Sequence, residues 1–437
     1  MDMLLFGHRK SEWGIGVLRG NLLVLVLSNV IWQFSVNIGQ PYLSLYVLSL
    51  GGTAESIGFV NSLGALAGIF LYPLGGYIAD MKGRVQLVNT ATFAYAFSFL
   101  VFAYAPSWQV LAVASFLRSL VLFYNPILTV IQADSIPPKQ RSSGFALALT
   151  VPQAVGIFSP VIGGYLMDPK VMGIIPAMRL IYMIGFGAGI GVALLRNWGL
   201  TETLKVTKDI VSYRNFPKLL LESYKSFLET IRWMPKQIRV LAVMAMIQIF
   251  FAGISSPYYI VYAYTVFHIS TTEWGLTSMI QGITKVALAV PAGKIMDTHS
   301  RKKILVPCMI WTVMMPLIFL LTGNFLNLVI LAIVISIVNV FLTPGFHSLL
   351  ADYTPRDRRG RVISSIGAGN FFIDIRGGAG GGGGATLLFI PSSIAQVLGG
   401  ILYAANPGYS LYITSAGMVI VLALAAFFVH DPRTLEE

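Results

Sequence analysis

The sequence predicts an all-α integral membrane protein with twelve transmembrane helices in two six-helix bundles that repeat in parallel. Three observations carry this. Of 437 residues, 56% are hydrophobic and only 11% charged, with a mean hydropathy of +0.74, whereas a soluble domain carries about 25% charged residues. Apolar stretches of the roughly 20 residues that cross a bilayer core recur twelve times. Finally, the second half echoes the first at an offset near 218 residues.

The expected spans lie near 20–48, 55–79, 86–105, 108–133, 142–167 and 174–196. After a polar stretch come 239–266, 274–296, 303–322, 326–350, an interrupted span within 361–404, and 409–430. The domain plan is therefore an N-terminal bundle (1–196), a linker (197–238) and a C-terminal bundle (239–437). No cleavable signal peptide is evident, because residues 1–20 lack an apolar core. In the linker, Leu220, Tyr224, Phe227, Leu228 and Ile231 fall at helical spacing among Lys218, Lys225 and Arg232. That pattern reads either as an amphipathic helix at the inner leaflet or as a solvated linker helix.

The net charge of +12 is a matter of topology. Lys and Arg gather in alternate loops: His8-Arg9-Lys10, Lys82 and Arg84, Lys139 and Arg141, Arg301-Lys302-Lys303, and Arg356 to Arg361. Lys170 is the exception on the other side. By the positive-inside rule both termini are cytoplasmic, the expected location is the plasma membrane, and nucleic acid is not expected as a partner. One cysteine and five histidines, without Cys-x-x-Cys or His-x-x-x-His spacing, point to no metal and no cofactor.

The repeat is dense in chemistry. Glu55, Gly64 and Pro73 recur as Glu273, Gly282 and Pro291. "GGYIADMKGR" (75–84) is echoed by "AGKIMDTHSR" (292–301), setting Asp80 and Arg84 over Asp297 and Arg301. "NPILTVIQADSIPPKQR" (125–141) is echoed by "TPGFHSLLADYTPRDRR" (343–359), setting Asp134 and Arg141 over Asp352 and Arg359. With Gly76-x-x-x-Asp80-x-x-Gly83-Arg84 after span 2, its weaker copy after span 8 (Ser300 in place of a glycine), and Asp-x-x-Pro-x-x-x-Arg after spans 4 and 10, the chain resembles the major facilitator superfamily over nearly its whole length. The resemblance implies a monomeric secondary transporter of rocking-bundle type, with the substrate site between the halves. It also implies a gating role for Asp80 and Arg84 and their repeat partners, with Asp80 near the N-terminus of span 11, where a helix dipole favours a carboxylate.

One stretch breaks the pattern. Gly163-Gly164 near the end of span 5 finds its partner in Gly399-Gly400, 236 positions on, so span 11 holds an 18-residue insertion around "IDIRGGAGGGGGATLLFI". It can be an irregular segment lining the cavity, tolerated only where shielded from lipid. Residues 361–378 can instead form a cytoplasmic loop before a span that begins near Ala379, or the run is an engineered stretch. No Gly-Lys-Ser/Thr follows, so it is not a phosphate loop.

Ionisable and amide side chains inside spans are the candidates for substrate contact. They are the stripe Asn29, Gln33 and Asn37 on span 1; Arg118 in span 4; Gln281 and Lys285 in span 8; and Asn339 and His347 on a stripe with Thr343 in span 10. The resemblance adds that the family often has an arginine at Arg118's place. Asn and Gln stripes also glue helices together, Arg118 can pin carbonyls, Lys285 can snorkel, and His347 can be a core histidine. No span carries a clear mid-depth carboxylate, which leaves Asp374, His347 or the substrate to carry a proton. Two cations without an acid predict an anionic or amphiphilic solute. Span 5 ("VGIFSPVIGG") resembles the family's antiporter signature through Gly156, Pro160, Gly163 and Gly164, with Ser159 in place of a glycine. The expectation is export or exchange of a small organic solute, with a proton as candidate counter-ion. The alternatives are uptake of a neutral polar nutrient such as a sugar, or lipid flipping.

Overall fold

A computed structural model of the chain describes residues 19–78, 83–136, 141–203, 216–355, 362, 365–367, 374–375 and 385–429. The spans are Gly20–Ser49 (span 1), Ala54–Ile78 (2), Arg84–Ala103 (3), Trp108–Ser135 (4), Arg141–Gly156 continued by Ser159–Leu166 (5), and Ile174–Gly199 (6). A linker helix, Phe216–Trp233, follows. The second half holds Lys236–Thr265 (7), Thr271–Thr298 (8), Arg301–Leu320 (9), Phe325–Tyr353 (10), Thr386–Ala405 (11) and Tyr409–Phe428 (12). Eleven of these regions are long and apolar enough to cross a membrane. Span 8 has the length, 28 residues, but carries Glu273, Lys285, Lys294 and Asp297; its far-end half packs against span 5, while Ile283, Val286, Val290 and Ile295 toward the linker are exposed.

Helix is the expected solution, since backbone groups in lipid must be satisfied within the chain. Where proline removes an N–H the helices tighten rather than stop. Span 1 passes through a 3-10 turn at Gln40–Tyr42 and span 7 through one at Ser256–Tyr258, both of sequence x-Pro-Tyr and 216 residues apart. Pro73 in span 2 likewise deprives the Ile69 carbonyl of its helical donor. The Tyr224 hydroxyl of the linker helix donates to that carbonyl. So the linker helix docks on span 2, burying Leu219, Ser223 and Thr230 and leaving Leu221 and Leu228 exposed.

The two halves meet along two seams, span 2 with span 11 and span 5 with span 8. Both are tightest at the end far from the linker. Gly163 and Gly399 lie against the carbonyls of Ile38 and Ile254 in their own halves, and neither has room for a Cβ. Gly164 faces Thr271, at the start of span 8; Gly400 faces Ala54 and Glu55, at the start of span 2. The repeat register inferred from sequence, with its 18-residue excess before span 11, is therefore the register of the packing. Toward the linker, span 8 touches Arg141–Gly156 only slightly.

Two repeat-related tyrosines bridge the far-end seams. The Tyr42 hydroxyl lies 2.6 Å from the Pro160 carbonyl and 3.2 Å from the Thr271 carbonyl. The Tyr258 hydroxyl donates to the Ala54 carbonyl at 3.1 Å. Each thus reaches from one half to the opening residue of the other half's second span.

Valine at Gly399 must push backbone away from the Ile254 carbonyl, so Gly399→Val is expected to cost at least the 1–3 kcal/mol typical of overpacking, read as a lower unfolding midpoint in detergent. Tyr42→Phe with Tyr258→Phe removes the Tyr258–Ala54 seam bond of about 1 kcal/mol and the longer approach to Thr271 of a hydroxyl that Tyr42 shares with Pro160 of its own half. That shifts the far-end equilibrium toward opening by roughly fivefold or more. Distances between spin labels in the 50–53 and 266–269 turns measure it, and an unchanged distribution would contradict the latch.

Candidate functional site

Between the halves, below the tyrosines, lies a cavity of about 440 Å3. Its N-half wall carries Gln33, Asn37 and Gln40 from span 1 and Gln153 from span 5. Its C-half wall carries Ser255 and Ser256 (span 7), Ser278 and Lys285 (span 8), Ser392 and Gln396 (span 11), Thr414 (span 12) and Asp374. Lys285 and Asp374 form an ion pair, Nζ to Oδ2 3.7 Å, with 29% and 14% of their side chains exposed. Gln396 donates from Nε2 to the Ser392 hydroxyl at 3.0 Å, while its buried Oε1 has no partner.

Of the residues expected here, Gln33, Asn37 and Lys285 line the cavity, and the others take different places. Asn29 lies one turn from Gln33 and accepts a hydrogen bond from Arg196 Nη2 at 3.4 Å. Arg118 stands inside the N-half with its guanidinium 4.7 Å from the Phe102 ring centre, where a ring face offers a cation what a dry helix interface otherwise lacks. Gln281 is 1% exposed and off the cavity wall, and neither side-chain polar atom has a partner among the described residues. Asn339 is buried at a small crevice between spans 9 and 10. His347 is half-buried and also off the cavity wall.

This placement corrects the electrostatic expectation. Two cations without an acid argued for anions; Arg118 is off the wall, and Lys285 has a carboxylate beside it. Asp374 comes from the insertion, and Ile375 next to it is buried in the main hydrophobic cluster. The described part of the insertion therefore enters the protein at the cavity, as an irregular segment shielded from lipid must. The described helix of span 11 is Thr386–Ala405; Ala379, where one sequence reading starts the span, lies outside the described residues.

At the linker end each half holds its own charge cluster. Arg84, 1% exposed, places Nη2 2.6 Å from Asp134 Oδ2 and Nε 3.1 Å from Glu202 Oε1. The Gly83 N–H donates to Glu202 Oε2 at 3.1 Å, from a left-handed backbone (φ 92°) that favours glycine. Thr203 accepts from Arg84 and donates to Asp134. In the second half Arg301 pairs with Asp352. A buried guanidinium needs this many acceptors. Glu202, in the loop after span 6, belongs to no motif, and its rarity as an acid in a chain with 18 Asp and Glu was the signal for it. Gly76 sits in the last turn of span 2. Asp80 and Arg359 lie outside the described residues, as do the side chains of Asp297 and Arg141.

Arg196 is a further buried cation that the span pattern hides. It is 2% exposed and donates to Ser28 (3.2 Å) and Thr92 (3.1 Å) as well as Asn29. It lies 5.9 Å from the Tyr124 ring centre. All these partners belong to one half, so the cluster ties spans 1, 3, 4 and 6 together. Glu273 also has a local job: with Ser270 it forms a capping box at the start of span 8.

The sequence matches the family model described as Major Facilitator Superfamily over residues 25–234 and 240–437. The multi-drug resistance efflux pump PmrA of Streptococcus pneumoniae is 21% identical over 359 residues, 79% of this chain and 84% of that protein. The quinolone resistance protein NorA of Staphylococcus aureus is 25% identical over 151 residues, 34% of this chain and 39% of that one. Among solved structures, the human organic anion transporter MFSD10 superposes with a TM-score of 0.63 at 16% identity, over 93% of this chain and 99% of that one. A peptide transporter POT in complex with alafosfalin gives 0.67 at 14%, over 94% and 96%. At these identities the structures show a shared fold.

Arg84 serves several acceptors at once through Nε and Nη2, a fork that lysine lacks. Arg84→Lys is therefore expected to lower the unfolding midpoint nearly as far as Arg84→Ala, with Glu202→Gln milder than either. Differential scanning in detergent ranks the three; full recovery in the lysine variant would mean that charge alone suffices.

Proposed function

The chain belongs to the Major Facilitator Superfamily, and from that premise we propose that it is a secondary transporter exporting or exchanging a small organic, amphiphilic solute. The observation that carries the reading is the polar cavity on the seam of two repeat-related halves, shut at the far end by contacts that cross the seam. Among the described residues, the ion pairs of Arg84 and Arg301 join groups of one half each, so rocking of the halves does not itself break those pairs. Alternating access needs that division of labour. No nucleotide motif is present in the sequence, so gradients supply the drive, with a proton as counter-ion and Asp374 as the carboxylate best placed to carry it. The relatives named as efflux pumps support export. The loop charges support a plasma-membrane protein with cytoplasmic termini.

A second reading, facilitated movement of a neutral polar solute, draws support from the amides Gln33, Asn37, Gln153 and Gln396 around the cavity.

Reconstitution into proteoliposomes separates them. A one-unit pH gradient driving one-for-one proton exchange can sustain up to about tenfold accumulation of an amphiphilic solute, and Asp374→Asn abolishes the response. Solute flux that ignores the gradient in the wild type would discard proton coupling and favour the facilitated reading. Asn37→Ala is expected to cut flux under either reading, since it removes an amide from the cavity wall.

A further inference from the structure

The cavity is not central. Both sides of the seam between spans 5 and 8 line it, through Gln153 and Ile157 on one side and Gly282 and Val286 on the other. Among the described residues span 2 contributes none to its lining. The repeat explains the difference between the two seams. At this depth the seam of spans 2 and 11 is plugged by the buried Phe389. Its ring takes the space that a Cβ on Gly68 would need and lies 5.4 Å from the Tyr72 ring. The repeat partners of Phe389, Gly68 and Tyr72 are Gln153, Val286 and Val290. Glutamine supplies no ring, and valine fills the place where glycine admits one. The seam of spans 5 and 8 accordingly stays apart here, with Gln153 exposed and Val290 69% exposed.

The slot so formed continues toward the linker as an apolar surface. Ala289 and Gly293 follow Ser278, Gly282 and Lys285 at spacings of three and four, along the cavity-facing line of span 8. Both are exposed, and nothing lies within 4 Å of the place a Cβ on Gly293 would take. Across the slot, Leu149 and Thr150 are exposed one turn below Gln153 on span 5. An exposed apolar surface marks a ligand groove or a membrane contact. This one runs from the flank of the protein directly into a cavity walled by amides and hydroxyls.

We propose that the slot between spans 5 and 8 is a lateral entrance from the leaflet at the linker end, taking a single-chain amphiphile. The head, neutral and rich in hydrogen-bonding groups, enters the cavity, while the tail stays between the two spans. With the other seam plugged by Phe389, the cavity has one such opening among the described residues, which suits one chain rather than two. The tail never leaves an apolar environment, so the loading step avoids exposing it to water, a cost of about fourfold in equilibrium per methylene. The loop charges argue that this is the cytoplasmic leaflet, the side from which an exporter loads. The inference rests on the export reading above, and its test separates the two.

The test has two arms, both on the full chain in lipid nanodiscs. In the first, Ala289→Cys in a Cys308→Ser background carries a nitroxide. Its collisions with oxygen, which dissolves in hydrocarbon, are compared by EPR with those of a nickel chelate confined to water. Oxygen is expected to dominate; dominance of nickel would make the slot a water-filled mouth and overturn the entrance. In the second, butyl, octyl and dodecyl glucoside are titrated calorimetrically, with empty discs as the blank. Affinity referred to free aqueous solute is expected to climb steadily to dodecyl. Ala289→Trp, at an exposed position that admits the ring without disturbing the fold, fills the slot. It is expected to weaken dodecyl binding tenfold or more and to leave butyl binding nearly unchanged. Equal loss for both tails overturns the proposal. If butyl glucoside binds and crosses proteoliposomes while dodecyl does neither, the entrance is wrong and the transporter reading stands. If no glucoside binds or crosses, the amphiphile-export reading falls and the entrance with it.

Discussion

At Gly163-Gly164 and Gly399-Gly400 backbone packs against backbone with no room for a Cβ. The first glycine of each pair presses on a carbonyl of span 1 or 7 in its own half, the second on the opening turn of span 8 or 2 in the other half. Only glycine permits this, and the seam geometry depends on it. It brings the start of span 8 within reach of Tyr42 and the start of span 2 within reach of Tyr258. It also sets where the cavity ends. Between helices in lipid, where the hydrophobic effect offers little drive, close packing and hydrogen bonds of this sort are what hold segments together.

Polar interactions divide by role. Among the described residues, those seen within a half are charged: the buried Arg84 with Asp134 and Glu202, the buried Arg196 with Ser28, Asn29 and Thr92, and the more exposed Arg301 with Asp352. The bonds of Tyr42 to Thr271 and of Tyr258 to Ala54, and the contact of Ser62 with Ser393 (2.7 Å), cross the seam and are neutral. Neutral hydrogen bonds contribute about 1 kcal/mol each, while breaking a buried charge cluster costs several times more. A molecule that must exchange two packings at a modest barrier is served by strong bonds inside the moving bodies and weak ones between them.

Symmetry fails at the insertion before span 11, and there the cavity acquires its carboxylate. Span 5 has no counterpart of Asp374, and the N-half wall is amide where the C-half wall bears an ion pair. The linker helix is the second asymmetry, capping the carbonyl that Pro73 frees in span 2.

Twelve spans, the boundaries of all but span 11 within a few residues, the repeat and the excess before span 11 were legible in the sequence, because hydropathy, glycine pairs and prolines act over short distances along the chain. The family was legible for the same reason, through Gly83-Arg84 and its echoes. Which polar side chain faces what was not. Asn29 and Asn37 share a stripe, yet one meets Arg196 and the other the cavity; Arg118 and Lys285 are both mid-span cations, yet one lies over Phe102 and the other beside Asp374. Glu202 and Asp374 sit in segments without pattern, far in sequence from the arginine and lysine they meet. A helix's period determines that it has a polar face. The rotation of that face toward a cavity, a neighbouring ring or a distant acid is decided by how twelve helices pack, and only the tertiary structure contains that.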